Sequence, residues 1–258
     1  MTRINLFLGL VSVCLCFLAS SAFSQDAPEQ QEASDVQRFH WGVSGGLNRY
    51  QEPGLMQLQG PEMGVHVTRT WSSIQWEGDV LLGQQKYTSR DSGGMTGITN
   101  LETRWRGLIS LAEDLPDHPD FLTGLAIHTL WNDLRGTTTF NQTTYAGYER
   151  SAVQLWLPMR WSHTGVWDLD AGLLIYGRHT SKLSQVNSHF TDLVNTQHAG
   201  QYVQATFHWA WNDGDTLKPF IRYTHLGKSN SVVMNGSTWT EPASQRWQIG
   251  ALWEFHPR

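Results

Sequence analysis

His179 and Ser181 stand two residues apart, and Glu149 lies thirty positions upstream. A serine hydroxyl becomes a nucleophile when an imidazole takes its proton, and a carboxylate that orients the imidazole completes such a set. Strand periodicity would give His179 and Ser181 one face. A tight turn at 162–165 would make Glu149 the cross-strand neighbour of His179. On this reading the three meet on an outward rim as a catalytic group. The plainer alternative is three polar residues above an apolar band. Asp168-Leu169-Asp170 is an Asp-x-Asp within an alternating segment, a spacing that could serve acid–base work. His66, His128 and His208 occur singly and read as hydrogen-bonding residues, with no metal site expected. No phosphate loop, zinc-binding helix motif or dinucleotide fingerprint is present, and no cofactor is expected.

These residues must be held by elements, and the elements alternate in twos. Past Val36 the chain has segments with apolar residues at every second position, separated by turn-rich stretches. Ten such segments are read: 38–50, 62–71, 74–88, 98–111, 120–133, 147–161, 166–179, 199–211, 218–228 and 244–256. In the last, Trp247, Ile249, Ala251, Trp253 and Phe255 oppose Arg246, Gln248 and Glu254. Connections alternate between long (51–61, 89–97, 134–146, 180–198, 229–243) and short, which puts the long loops at one end. This predicts an all-β, closed, antiparallel up-and-down barrel of about ten strands.

The distribution of rings and charges says which face meets what. The chain has 13 Trp. Trp41, Trp71, Trp161, Trp167, Trp209, Trp211, Trp253 and Phe255 all fall near the short-turn end of the apolar face. Tyr50, Tyr87, Trp131, Tyr148, Tyr176 and Tyr223 fall near the other end, Tyr148 and Tyr176 with inward parity. Rings at two levels suit the two interfaces of a bilayer. The opposite face carries Glu77, Asp79, Arg104, Arg106, Arg160, Asp168 and Arg222 at mid-strand. A charge facing hydrocarbon costs about 2–4 kcal/mol, so these charges are assigned to an enclosed lumen. There Asp168 is expected level with Arg160, and Asp79 near Arg106. Ten strands lie close to the width that side chains fill, which favours a salt-bridged plug over a narrow pore.

The N-terminus reads as an export signal: Arg3, an apolar run from Leu6 to Ala19, and small residues flanking Phe23. Cleavage after Ser24 would remove Cys14 and Cys16, the chain's only cysteines. Residues 25–37 read as a flexible periplasmic tail and 38–258 as the barrel. A formal charge of −5 argues against a nucleic-acid partner.

With strands, rings and charges in this arrangement, the chain resembles small bacterial outer-membrane β-barrel proteins over residues 38 to 258. The resemblance implies a Gram-negative outer membrane, extracellular long loops, periplasmic termini, and contact with membrane lipid and lipopolysaccharide. It also implies recognition by the barrel-assembly machinery through a terminal aromatic, here Phe255, although His256-Pro257-Arg258 follow it. His179-x-Ser181 is similar in kind to the motif of outer-membrane lipid A deacylases. Lys182 stands where that family has Asn, and Glu149 precedes the motif where their acid follows it. Omptin-like surface proteases also have ten strands, but Asp168 and Asp170 lie at the wrong end for their extracellular acids. The sequence therefore favours surface binding, adhesion or a structural role through five displayed loops, with no ligand identified. A narrow pore comes next and a hydrolase third.

Overall fold

The computed structural model describes residues 38–90, 93–111, 120–135, 147–163, 165–212 and 214–255. The expected export signal and tail, His256-Pro257-Arg258 and most of the 134–146 loop lie outside these residues. Fourteen strands form among them: β1 (Arg38–Glu52), β2 (Met56–Trp71), β3 (Ile74–Ser89), β4 (Gly93–Ser110), β5 (Asp120–Asp133), β6 (Glu149–His163), β7 (Trp167–Ser181), β8 (Leu193–Gln197), β9 (Gly200–Phe207), β10 (Trp209–Asn212), β11 (Asp215–Leu226), β12 (Ser231–Met234), β13 (Ser237–Thr240) and β14 (Ser244–Phe255).

β1 to β7 pair in sequence, β9 joins β7 to β11, β11 pairs β14, and β14 returns to β1. Trp41 faces Phe255 and Gln51 faces Gln245 across the closing seam. β8, β9 and β10 run on as one interrupted stave, with β8 on the upper part of β7 and β10 on β11. The barrel thus has ten positions, all antiparallel, and closure leaves its wall without an open edge.

Alternation sorts the side chains as the sequence implies. Leu47, Met63, Val65, Leu82, Leu125, Val153, Leu173, Val203 and Ile249 are exposed on the outer wall. Glu77, Glu102, Arg104, Arg160, Asp170 and Arg222 are buried within. An exposed apolar belt around a charged interior is the arrangement of a transmembrane barrel. Trp41 and Phe255 lie 4.6 Å apart, and Trp253, Trp211 and Trp209 continue the girdle at 6.1 Å steps. Trp161 meets Trp167 edge-on at 5.7 Å. Ile249→Arg, mid-belt between Trp247 and Trp253, is expected to cost about 2–4 kcal/mol in lipid vesicles. Urea midpoints of the refolded protein measure this; an unchanged midpoint would mean that the wall faces water.

Several boundaries differ from the sequence reading. β1 and β2 pair as far as Glu52 and Met56, so the stretch read as loop 51–61 is mostly strand, turning at Pro53-Gly54-Leu55. β3 and β4 likewise pair to Ser89 and Gly93. The ribbons rise above the apolar belt, where Gln57 and Gln59 no longer alternate with outward apolar residues and the periodic signal is lost. Residues 193–197, read as loop, pair with β7. The 229–243 loop holds the β12–β13 hairpin, turned at Asn235 (φ 51) and Gly236 (φ 75), the left-handed pair that suits a two-residue hairpin turn. Tyr50, Tyr87 and Tyr148 do not join an upper girdle. They turn inward and pack against Leu58, Met95, Ile98 and Leu134. Tyr176, read as inward, is exposed.

Candidate functional site: the mouth at the long-loop end

The lumen is layered. At the short-turn end Arg106 pairs with Glu77 and reaches Asp170 at 2.8 Å, while Arg160 reaches Asp170 at 2.9 Å and Glu77 at 2.5 Å. Asp168 does not pair directly with Arg160. The β6–β7 turn sets Arg160 opposite Asp170 and Ser162 opposite Asp168, and Asp168 takes His208 at 3.0 Å and the Ser162 hydroxyl at 2.5 Å. Asp79 lies opposite Arg104, a diagonal step from Arg106, which faces Glu77, and its carboxylate meets His66 at 2.7 Å. Arg104 bonds Glu102 at 2.7 Å and reaches Gln248 at 2.6 Å.

Above the lowest layer sits an aromatic stopper. Trp156 is 0% exposed, with ring centroids 5.3 Å from Tyr202 and 5.5 Å from His128. Ala126, Leu174 and Leu226 complete the cluster. Gly172 makes room for it, since a Cβ there would come within 2.3 Å of the Tyr202 ring.

The candidate catalytic residues are placed differently from the expectation. Leu155 pairs with Tyr176 and Trp156 with Leu174, so Ile175 is an extra residue in β7. Such a bulge exchanges the faces of everything beyond it. Ile175 and Tyr176 both face out, at 45% and 41% exposure, and His179 and Ser181 are buried inside. His179 lies opposite Ala152, and Ser181 opposite Arg150. Glu149 lies opposite Asp133; its carboxylate is held by Lys182 and, at 2.7 Å, by Arg135. The geometry thus leaves Glu149 apart from His179 and Ser181.

What gathers at the mouth is a different set. The Ser181 hydroxyl donates to Glu241 at 3.3 Å. Arg150 bridges Glu241 at 2.6 Å and Glu52 at 3.2 Å, and the Tyr50 hydroxyl donates to Glu52 at 2.8 Å. Burial alone would raise the Glu241 carboxyl, but the adjacent Arg150 guanidinium, with the Ser181 hydrogen bond, holds it below the usual carboxylate range. His179 Nε2 meets the Gln197 side-chain oxygen at 2.6 Å. That amide's nitrogen donates to the Gly227 carbonyl at 2.8 Å, so the oxygen accepts and Nε2 carries the proton. His179 Nδ1 has no partner.

Glu241 belongs to the loop that carries the β12–β13 hairpin, and that loop is sewn to β8. Asn230 N donates to Thr196 O at 2.9 Å, and Thr196 N donates to the Asn230 side chain at 2.7 Å. A cavity of about 220 Å³ opens beneath it. Met56, Leu58, Tyr87, Met95 and Leu193 supply apolar wall; Glu52, Arg150, Ser181 and Glu241 supply a polar side; Trp239 and Pro242 contribute from the hairpin loop. Trp239 Nε1 is buried without a partner. Glu241 and Trp239 carried no short-range sequence signal, because only long-range folding brings them over Arg150. Among the described residues, no group of three His, Cys, Asp or Glu could hold a metal ion.

No family model and no curated protein matches the sequence. Solved structures do match. The translocator domain of the autotransporter NalP from Neisseria meningitidis is 9% identical, with 96% of each chain covered and a TM-score of 0.42. The outer membrane protease OmpT from Escherichia coli is 8% identical, covering 86% of this chain and 96% of that one, with a TM-score of 0.40. Neisserial surface protein A is 10% identical, covering 85% and 97%, with a TM-score of 0.38. In fold the chain is similar to outer-membrane β-barrels.

Proposed function

We infer that this chain is an integral outer-membrane protein, closed along its axis, that captures a small amphipathic ligand in the chamber at its extracellular mouth. The observation that carries this reading is the chamber itself. It has an apolar wall, a polar side fixed by Arg150, and an indole N–H left without an acceptor. A concave apolar site with a few fixed polar groups is the usual form of a small-molecule site. The ligand has an apolar body and a hydroxyl-like head that accepts from Trp239. The long-loop end faces outward from the cell and both termini face the periplasm. Above the belt, the outward Arg49, Gln59 and Lys86 lie at the level of lipopolysaccharide headgroups. Phe255, against Trp41 and Trp253, acts as the assembly signal.

The stacked ionic and aromatic layers speak against the pore reading. The hydrolase reading draws no support from the geometry, because Ser181 hydrogen-bonds Glu241 and His179 is directed at Gln197. Titration calorimetry with benzyl alcohol as probe, on full-length protein in detergent, tests the chamber. Leu183→Trp, on the chamber wall, is expected to weaken binding at least tenfold while leaving the urea midpoint in place. Equal heats for both proteins would reject the chamber as the site.

A further inference from the structure

Between the aromatic stopper and the mouth lies a second cavity of about 70 Å³, lined in part by Arg222, Asn100, His179, Gln248 and Arg150. Its charged groups are matched, with one exception. Arg150 has Glu52 and Glu241; Arg246 has Glu62 at 3.4 Å and Glu102 at 2.5 Å. Arg222 is 5% exposed. Its contacts are the Gln204 side-chain oxygen at 3.3 Å and the face of Tyr202, 4.0 Å from the ring centroid. Among the described residues no carboxylate pairs with it.

A buried guanidinium without a counter-charge is costly, since desolvation is repaid only by a nearby opposite charge and filled hydrogen bonds. A Gln oxygen and a ring face supply part of this. A second donor lines the same space: Asn100 Nδ2, in a residue 1% exposed, has no partner. The same lining offers an acceptor, the bare His179 Nδ1. A free positive charge, an unsatisfied amide donor and an acceptor for bound water fit one kind of occupant.

We propose that this upper lumenal cavity is a binding site for a small inorganic anion, seated against the Arg222 guanidinium and hydrogen-bonded through Asn100. It is distinct from the mouth chamber and does not depend on it. Arg150, Asn132 and Leu58 line both spaces, so the anion enters from the extracellular side past Arg150. The bound charge completes the ionic balance of this layer and locks Arg222 in place above Tyr202.

Two readouts test this on the full chain in detergent. Crystals grown in sodium bromide are expected to show an anomalous peak within hydrogen-bond reach of the Arg222 guanidinium, absent from Arg222→Met. The melting midpoint is expected to fall when chloride is replaced by gluconate, too large for the cavity, at constant ionic strength. Arg222→Met is expected to melt at the same temperature in both salts. Bromide confined to the outer surface, or a wild-type midpoint indifferent to the anion, would overturn the proposal and leave Tyr202, Gln204 and water as the partners of Arg222.

Discussion

Replacing Arg150 with methionine is expected to lower the stability of the refolded barrel by about 3–5 kcal/mol, the usual cost of deleting one member of a buried ionic cluster. The magnitude follows from what remains. Glu52, buried, and Glu241, half-buried, would both lose the cation that they share, and the Tyr50 hydroxyl already donates to Glu52. Methionine keeps the volume and removes the charge, so the loss reports electrostatics and not a void. The triple variant Arg150→Met, Glu52→Gln, Glu241→Gln is expected to recover most of the loss, because the stranded charges are gone. Urea unfolding in detergent measures both. Arg150→Met should also free the β12–β13 loop, read as faster proteolysis at the hairpin. Less than 1 kcal/mol lost, or no recovery in the triple variant, would show that the clasp has no energetic role.

The second large effect is expected at Trp156. Trp156→Ala removes a fully buried ring from its contacts with Tyr202 and His128 and is expected to cost about 3–5 kcal/mol, as for aromatic truncations in soluble cores. Conductance should nevertheless stay absent in planar bilayers. The layer below, Arg160 and Arg106 crossed with Glu77 and Asp170, still spans the lumen. Adding Arg160→Ala to Trp156→Ala is expected to produce discrete channel steps. Conducting wild-type protein would contradict the closed-axis reading. A silent double variant would place the constriction elsewhere.

Much of the architecture was readable because a membrane enforces one rule along the whole belt. From Trp41 to Leu47 and from Trp247 to Phe255, each outward position must be apolar, so parity alone fixed the facing. That constraint ends where the ribbons leave hydrocarbon. Gln57 and Gln59 continue β2 in a pattern that reads as loop, and the pairing of Glu52 with Met56 was invisible. The candidate site failed for a more local reason. One extra residue at Ile175 turned His179 and Ser181 from the wall to the interior, and a bulge has no periodic signature in a sequence as apolar as Leu173-Leu174-Ile175. Asn235-Gly236 did carry a hairpin signal inside the 229–243 loop, and it places the element that roofs the chamber. That Trp239 and Glu241 would close over Arg150 depends on contacts ninety positions apart, which spacing does not encode.

The seam between β1 and β14 sets an order of events for biogenesis. Trp41 and Phe255 are neighbours in space but sit at opposite ends of the described chain, so the wall stays an open, curled sheet with two unsatisfied borders until β14 reaches β1. Contacts of such sequence separation form slowly, and the borders of β1 and β11 stay exposed until β14 pairs with both. Losing β14 would leave β1 and β11 unjoined, because it alone pairs with both.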